Sequence, residues 1–214
     1  ENRRIKVQPG VVLAQMNNYL KPYGLFFPVD VSTSSRATIG GMTANNSCGA
    51  RSIRYGNMVD NVYAVDAILA DGSKLQFWQI PKDYQATEIP ARYREIASPL
   101  VELGQREAVE IAARFPNVQR RVGGYNIDAL VPGTGSQNLA HLLVGSEGTL
   151  AFSTAIELDL MPLPSNKVLG VCHFPEFYAA MDATQHIVEL APAAVELVDR
   201  TMIDFCLLNT SDAA

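Results

Sequence analysis

Residues 38–49 read Thr38-Ile39-Gly40-Gly41-Met42-Thr43-Ala44-Asn45-Asn46-Ser47-Cys48-Gly49, a run of small and hydrogen-bonding side chains. Paired glycines remove side-chain bulk and permit positive φ. A backbone so freed can approach a ligand and turn its N–H groups towards phosphate or carbonyl oxygens. Asn45, Asn46 and Ser47 add short donors and acceptors at the same place. Thr43 and Ala44 are small enough for close packing of a helix start, whose end carries partial positive charge. A second stretch, Gly145-Ser146-Glu147-Gly148-Thr149-Leu150, again sets glycines around a polar pair. Taken alone, the first stretch reads equally well as a glycine-rich surface turn and the second as a hairpin turn. Neither has the spacing of a P-loop or of GxGxxG, which argues against a P-loop nucleotide site and a Rossmann nicotinamide site.

The elements that must position these loops follow from periodicity. Ile5-Lys6-Val7 is strand-like, Pro9-Gly10 is a turn, and residues 11–20 have helical spacing with Val12, Met16, Tyr19 and Leu20 on one face. Gly24 ends that helix. Residues 32–56 hold almost no large apolar side chain and read as a long loop, a feature usually functional in compact domains. Two strands, residues 62–70 and 74–78, flank Asp71-Gly72 as a hairpin. Residues 91–114 are helical, with Ile96, Leu100, Leu103, Val109, Ala112 and Ala113 in pattern, and Pro116 stops them. Residues 139–144 read as an apolar strand and residues 152–161 as an alternating one. Beyond Ser165, residues 167–174, 176–190 and 194–197 read as strand, helix and strand, with another helix at 201–208. A proline-rich joint before them marks a second domain.

Composition narrows the class. Hydrophobic residues make up 48% and charged residues 18% of 214, which suits a folded protein with a sizeable core. The net charge of -5 and the lone basic pair Arg120-Arg121 argue against nucleic-acid binding, which needs clustered cations. No apolar run approaches the roughly 20 residues that span a bilayer. Cys48, Cys172 and Cys206 are sparse and form no CxxC, which suggests a reducing, cytoplasmic setting and no metal or iron–sulfur site within the chain. The ends read as boundaries of a longer chain. There is no initiator Met, a strand begins at once, and residues 209–214 close no element.

The ordered set Val7-Gln8-Pro9-Gly10, Phe27-Pro28-Val29-Asp30, Thr38-Ile39-Gly40-Gly41, Asn45-Asn46-Ser47-Cys48-Gly49, Arg54-Tyr55-Gly56, Leu69-Ala70-Asp71-Gly72 and Gly145-Ser146-Glu147-Gly148-Thr149-Leu150 resembles the vanillyl-alcohol oxidase superfamily, with its PCMH-type FAD-binding domain. Within it, Arg114-Phe115-Pro116 and Arg120-Arg121-Val122-Gly123-Gly124-Tyr125-Asn126 are similar to the D-lactate and D-2-hydroxyglutarate dehydrogenase branch of FAD-linked oxidases. The resemblance implies an α+β fold. Residues 1–163 form the second FAD subdomain, a mainly antiparallel sheet with flanking helices. The resemblance implies that the pyrophosphate-binding first subdomain lies upstream and that residues 164–214 begin an α/β cap domain. It implies oxidation of a D-2-hydroxy acid by hydride transfer to flavin, with an electron acceptor other than NAD. Similar long oxidases carry an iron–sulfur cluster in a region outside this chain.

By position in the family, Pro28 and Asp30 line the flavin crevice. Thr38, Gly40, Gly41, Asn45, Ser47 and Gly49 approach the isoalloxazine and phosphates. Glu147, Gly148 and Thr149 run along the cofactor, and Phe152 sits near its adenine or ribitol end. Ala151 replaces the commoner glycine after Gly-Thr-Leu. No catalytic residue and no metal ligand is assigned within the chain; the catalytic residues are expected outside it. Cys48 reads as a packed thiol rather than a covalent flavin link, and His141 as a structural histidine. Arg51 and Arg54 suit a phosphate, a carboxylate or a solvated face equally. Two other readings remain open: a cofactor-free, inactive fragment, and a module that binds another nucleotide.

Overall fold

The computed structural model describes residues 3–133 and 137–211. Glu1, Asn2 and the last three residues, read above as chain ends, lie outside them. The chain divides into two compact units, Glu1–Leu163 and Pro164–Ala214.

In the first unit, strand β1 (Arg4–Val7) leads into helix α1 (Leu13–Leu20), which buries Leu13, Met16 and Leu20. Tyr19, expected on that face, is 63% exposed and lies against Tyr23 at 5.6 Å. Leu13 to Leu20 is close to two full turns, and Tyr19 falls about 100° off that line. Val12 is held outside the helix by a bridge to Thr38. A short 3₁₀ turn follows, ended by Gly24 at φ 67°, and then strand β2 (Leu25–Phe26). The polar residues 32–56 are not a structureless loop. They hold helices α2 (Ile39–Ala44) and α3 (Ser52–Tyr55), and α4 (Met58–Asn61) comes directly after.

Strands β3 (Val62–Ile68) and β4 (Lys74–Phe77) form the expected hairpin, with Val65 opposite Phe77 and Ile68 opposite Lys74. Gly72 supplies the positive φ of its turn, at 82°. The long helical stretch is two helices, α5 (Ala91–Arg106) and α6 (Ala108–Arg114), which break at Glu107. Their buried positions are Tyr93, Ala97, Val101, Gly104 and Ile111, whereas Val109 is exposed. Residues 139–144, read as a strand, are helix α7 (Ala140–Leu143) with its flanks. Asn138 decides this: its Oδ1 accepts the Ala140 N–H at 2.8 Å and its carbonyl accepts the His141 N–H, so the chain turns instead of extending. An all-apolar run carries no period to settle the matter.

Strand β5 (Phe152–Asp159) is the spine of the unit. The antiparallel sheet runs β1-β5-β3-β4, with Ile156 opposite both Val7 and Val65. A separate pair joins β2 to β6 (Met161–Pro162). Ile156 and Leu158 alternate into a core shared with α1, α5 and α7. Each fully buried large side chain there contributes roughly 1.5–3 kcal/mol. Trp78 stacks on Tyr93 at 4.4 Å, and burial pushes the Tyr93 hydroxyl well above its usual range.

The second unit holds α8 (Phe177–Ile187) and α9 (Arg200–Ser211). The strands expected at 167–174 and 194–197 are not formed among the described residues. Residues 167–174 form no regular element, and Val168 is 97% exposed. A strand needs a partner for its N–H and C=O groups, and β-propensity alone supplies none. Among the described residues no helix is long and apolar enough to cross a membrane.

Gly104 packs so closely that an added Cβ would sit 2.2 Å from the Leu130 carbonyl oxygen. Gly104→Ala is expected to destabilise the protein by about 2 kcal/mol, read as a lowered Tm. An unchanged Tm would refute this packing account.

Candidate functional site

The first glycine-rich stretch is folded around short internal hydrogen bonds. Thr38 caps α2 in extended backbone, its Oγ1 accepting the Gly41 N–H at 3.2 Å. The Gly40 N–H donates to the Pro9 carbonyl at 2.8 Å, Asn45 to Gly41 at 3.0 Å, and Ser47 to Met42 at 2.9 Å. The Gly49 N–H donates to the Ser52 hydroxyl at 3.1 Å. All five of these amides, expected to be free for a ligand, therefore have protein acceptors. Two of the glycines are explained by packing. A Cβ on Gly40 would lie 2.4 Å from the Pro9 Cβ, and one on Gly49 would lie 2.0 Å from the Asp30 carbonyl oxygen.

Asp30 is thereby locked in place. Its Oδ1 accepts the Arg51 N–H at 3.0 Å, and the Arg51 Nε lies 3.9 Å from its Oδ2. Pro28 is buried two residues before it. The Asn45 Nδ2 donates to the Ser47 Oγ at 3.1 Å.

The second stretch docks on the first. The Gly145 N–H donates to the Thr43 carbonyl at 2.9 Å, and the Glu147 N–H to the Ala44 carbonyl at 3.1 Å. Asn46, Gly145, Glu147 and Gly148 all have positive φ here, at 50°, 80°, 52° and 75°. Left-handed backbone costs most non-glycine residues roughly 1–2 kcal/mol, so Glu147 is strained, whereas Asn46 adopts it more readily. Asn46 is 1% exposed; its Oδ1 accepts the Val59 N–H at 3.0 Å while its Nδ2 has no acceptor. Glu147, Gly148 and Thr149 are exposed, and the space a Cβ would take on Gly148 is open. The Gly148 amide has no protein acceptor among the described residues. The structure thus gathers Asn45, Ser47, Glu147, Gly148 and Thr149 at one seam. Gly49 and Arg51 follow Ser47 along the chain and pack on Asp30. Phe152 stands at the start of β5 opposite Ile68, 69% exposed.

A third segment meets the seam and was not singled out as site-forming. The Asn126 Nδ2 donates to the Val144 carbonyl at 2.8 Å and the His141 carbonyl at 3.2 Å. Tyr125 Oη lies 2.8 Å from Thr149 Oγ1. In sequence, Gly123-Gly124-Tyr125 reads as a turn within the stretch that resembles the dehydrogenase branch; its long-range partners leave no local pattern.

His141 is structural, as expected. Its Nε2 lies 3.2 Å from the Val62 carbonyl, and burial, opposed by that bond, depresses its pKa below the usual 6.5. Among the described residues no group of three or more His, Cys, Asp or Glu could hold a metal. A groove of about 430 Å³ lies apart from most of these residues, lined by Leu69, Phe77, Ile96, Leu142 and Leu150 among others, with the Arg92–Asp71 pair at 2.7 Å. Its lining is mostly apolar, and its cation, Arg92, is already paired with Asp71 and Glu95.

Residues 1–77 match the family profile described as FAD binding domain, and residues 163–212 match FAD linked oxidases, C-terminal domain. The chain is 33% identical over 207 residues to D-2-hydroxyglutarate dehydrogenase of Pseudomonas putida, covering 95% of this chain and 20% of that protein. It is 32% identical to the enzyme of the same name from Escherichia coli, again covering 20% of it. Against a protein named probable mitochondrial D-lactate dehydrogenase from Danio rerio the identity is 30%, with 32% of that protein covered. The chain therefore spans about a fifth to a third of the length of these relatives. A solved structure of alkyldihydroxyacetonephosphate synthase has a similar fold, with a TM-score of 0.52 and 18% identity over 90% of this chain and 26% of the other.

Two outcomes test the geometry of the seam. Gly49→Ala forces a backbone clash and is expected to cost about 3 kcal/mol, whereas Gly148→Ala meets only the φ penalty of about 1 kcal/mol; equal losses on chemical denaturation would refute the distinction. His141 prefers its neutral form when folded, so its contribution is full above pH 6.5 and is lost as pH falls from there towards the depressed folded value. His141→Gln should therefore shrink the fall in Tm between about pH 7.5 and about pH 5.5; an unaltered fall would contradict the assignment.

Proposed function

We propose that this chain, which belongs to the FAD-linked oxidases, is part of a dehydrogenase that oxidises a D-2-hydroxy acid such as D-lactate or D-2-hydroxyglutarate. The observation that carries the reading is the docking of the two glycine-rich loops through Gly145 to Thr43 and Glu147 to Ala44. Two segments far apart in sequence, each weak evidence alone, thereby make one surface. The names of the relatives supply the substrate class.

The seam fits such a cofactor in two respects. The Asn46 Nδ2 is a buried donor without an acceptor, and Gly148 opens onto free space with its amide unspent. FAD is rich in carbonyl, ring-nitrogen and phosphate acceptors. We assign residues 1–163 to the second subdomain of the FAD-binding domain and residues 164–214 to the beginning of the cap. Within the first, Asn45, Ser47, Glu147, Gly148 and Thr149 form the cofactor-facing seam. Pro28, Asp30 and Gly49 shape its wall, Thr38, Gly40 and Gly41 set the loop behind it, and Phe152 lies beyond.

Bound FAD would supply the two-electron acceptor that converts the hydroxy acid to the 2-oxo acid. The residues here bind and orient it. Asp30 is held by Arg51, and Thr38 is committed to the cap of α2, so both fix backbone in place. The electrons leave to an acceptor other than NAD, for which an iron–sulfur cluster outside this chain is the proposed class.

The test is spectroscopic. The full-length protein is expected to purify with a visible flavin band that D-lactate or D-2-hydroxyglutarate bleaches without oxygen. Residues 1–214 alone are expected to retain no flavin, since they cover so little of the related enzymes. A colourless full-length protein that FAD cannot reconstitute would sink the proposal. Stabilisation of the chain by ADP but not FAD in a thermal-shift assay would favour a nucleotide-binding module.

A further inference from the structure

We propose that Tyr125 is a positioning residue for the cofactor seam, acting through Thr149; this rests on the FAD reading above. Thr149 Oγ1 has a single proton, which it donates to the Ser146 carbonyl at 2.6 Å. Tyr125 Oη, 2.8 Å away, must therefore be the donor in their contact. The result is a directed relay from Tyr125 through Thr149 to Ser146. Polarisation along such a chain strengthens each member. The Thr149 N–H also returns to the Ser146 carbonyl, at 2.9 Å.

The relay closes the turn that contains Glu147 and Gly148. Glu147 is held at φ 52°, a conformation that persists only where neighbours over-determine it. The Glu147 bond to Ala44 fixes one side of the turn, and the Tyr125 relay fixes the other. Between them lies Gly148, whose amide has no acceptor among the described residues and whose Cβ position is open. Thr149 has no proton left for a ligand, so its side chain serves the loop.

Tyr125 can act as an anchor because its own segment is tied down on both sides. Behind it, Asn126 is buried and bonded to Val144 and His141. Ahead of it, Arg121 pairs with Asp128 at 2.6 Å and lies over the Phe115 ring. Further back, the Gln119 Nε2 donates to the Ser52 carbonyl and its own carbonyl accepts from Asn57 Nδ2. Tyr125 is thus presented from a fixed strap to an otherwise exposed loop tip.

The experiment is a double-mutant cycle in the full-length protein, with Tyr125→Phe, Thr149→Val and both together. Kd for FAD, the flavin absorbance bands and Tm are read for each. Each single variant is expected to raise the Kd three- to tenfold and to shift the flavin bands. The double variant should be no weaker than the weaker single one. A tyrosine that merely supports the fold would lower Tm and leave Kd and the bands unmoved, and that result overturns the proposal. Independent, multiplying losses overturn it as well. A wild-type protein that binds no FAD would overturn the proposed function and this inference together; FAD held with unchanged Kd by Tyr125→Phe overturns this inference alone.

Discussion

Two backbone hydrogen bonds, Gly145 to Thr43 and Glu147 to Ala44, hold the seam together, and the register of the sheet decides whether they can form. β5 begins just after Thr149 and pairs with β1 and β3, so Ile156 faces Val7 on one side and Val65 on the other. β1 runs on to Pro9, whose carbonyl accepts the Gly40 N–H. The position of the first loop is thus tied to β1, that of the second to β5, and their meeting to the β1–β5 register. A slip by one residue would turn Ile156 and Leu158 out of the core as well as parting the loops. The hydrophobic core and the candidate site share one constraint.

Glycine serves two different ends in this arrangement. Gly40 and Gly49 are small so that Pro9 and Asp30 can come close, and their amides are spent inside the protein. Gly145 and Gly148 are needed for their positive φ, and only Gly148 looks out on open space. Asn46 and Glu147 take the same backbone region without glycine's freedom. Strain gathered at one place, beside a buried donor lacking an acceptor, is what supports the proposed reading of the seam.

Much of the sheet was legible because its signals are local. Asp71-Gly72 between two β-rich runs gives the β3–β4 hairpin, and alternation gives β5. Where a segment is uniformly apolar, as at residues 139–144, period is lost, and a single side chain, Asn138, sets the helix. Residues 167–174 show the converse: the composition of a strand, with no partner to make one. The glycine-rich loops were legible by composition, but the use of their amides was not, because their acceptors on Pro9, Thr43 and Ala44 depend on tertiary contacts. Tyr125 and Asn126 escaped for the same reason.

The chemistry at the seam points to a division of labour. Oxidation of a hydroxy acid needs a group that accepts the hydroxyl proton. Asp30 is bonded to Arg51 and His141 faces the Val62 carbonyl with its charged form disfavoured by burial. Glu147 is exposed on a strained turn. Each of these three is committed to structure or open to solvent, whereas the uncommitted groups, the Asn46 Nδ2 and the Gly148 N–H, are neutral donors. Neutral donors hold and orient acceptor groups; they do not take protons. On the proposed reading the first unit serves to hold the cofactor, and none of Asp30, His141 and Glu147 is set up as the proton acceptor.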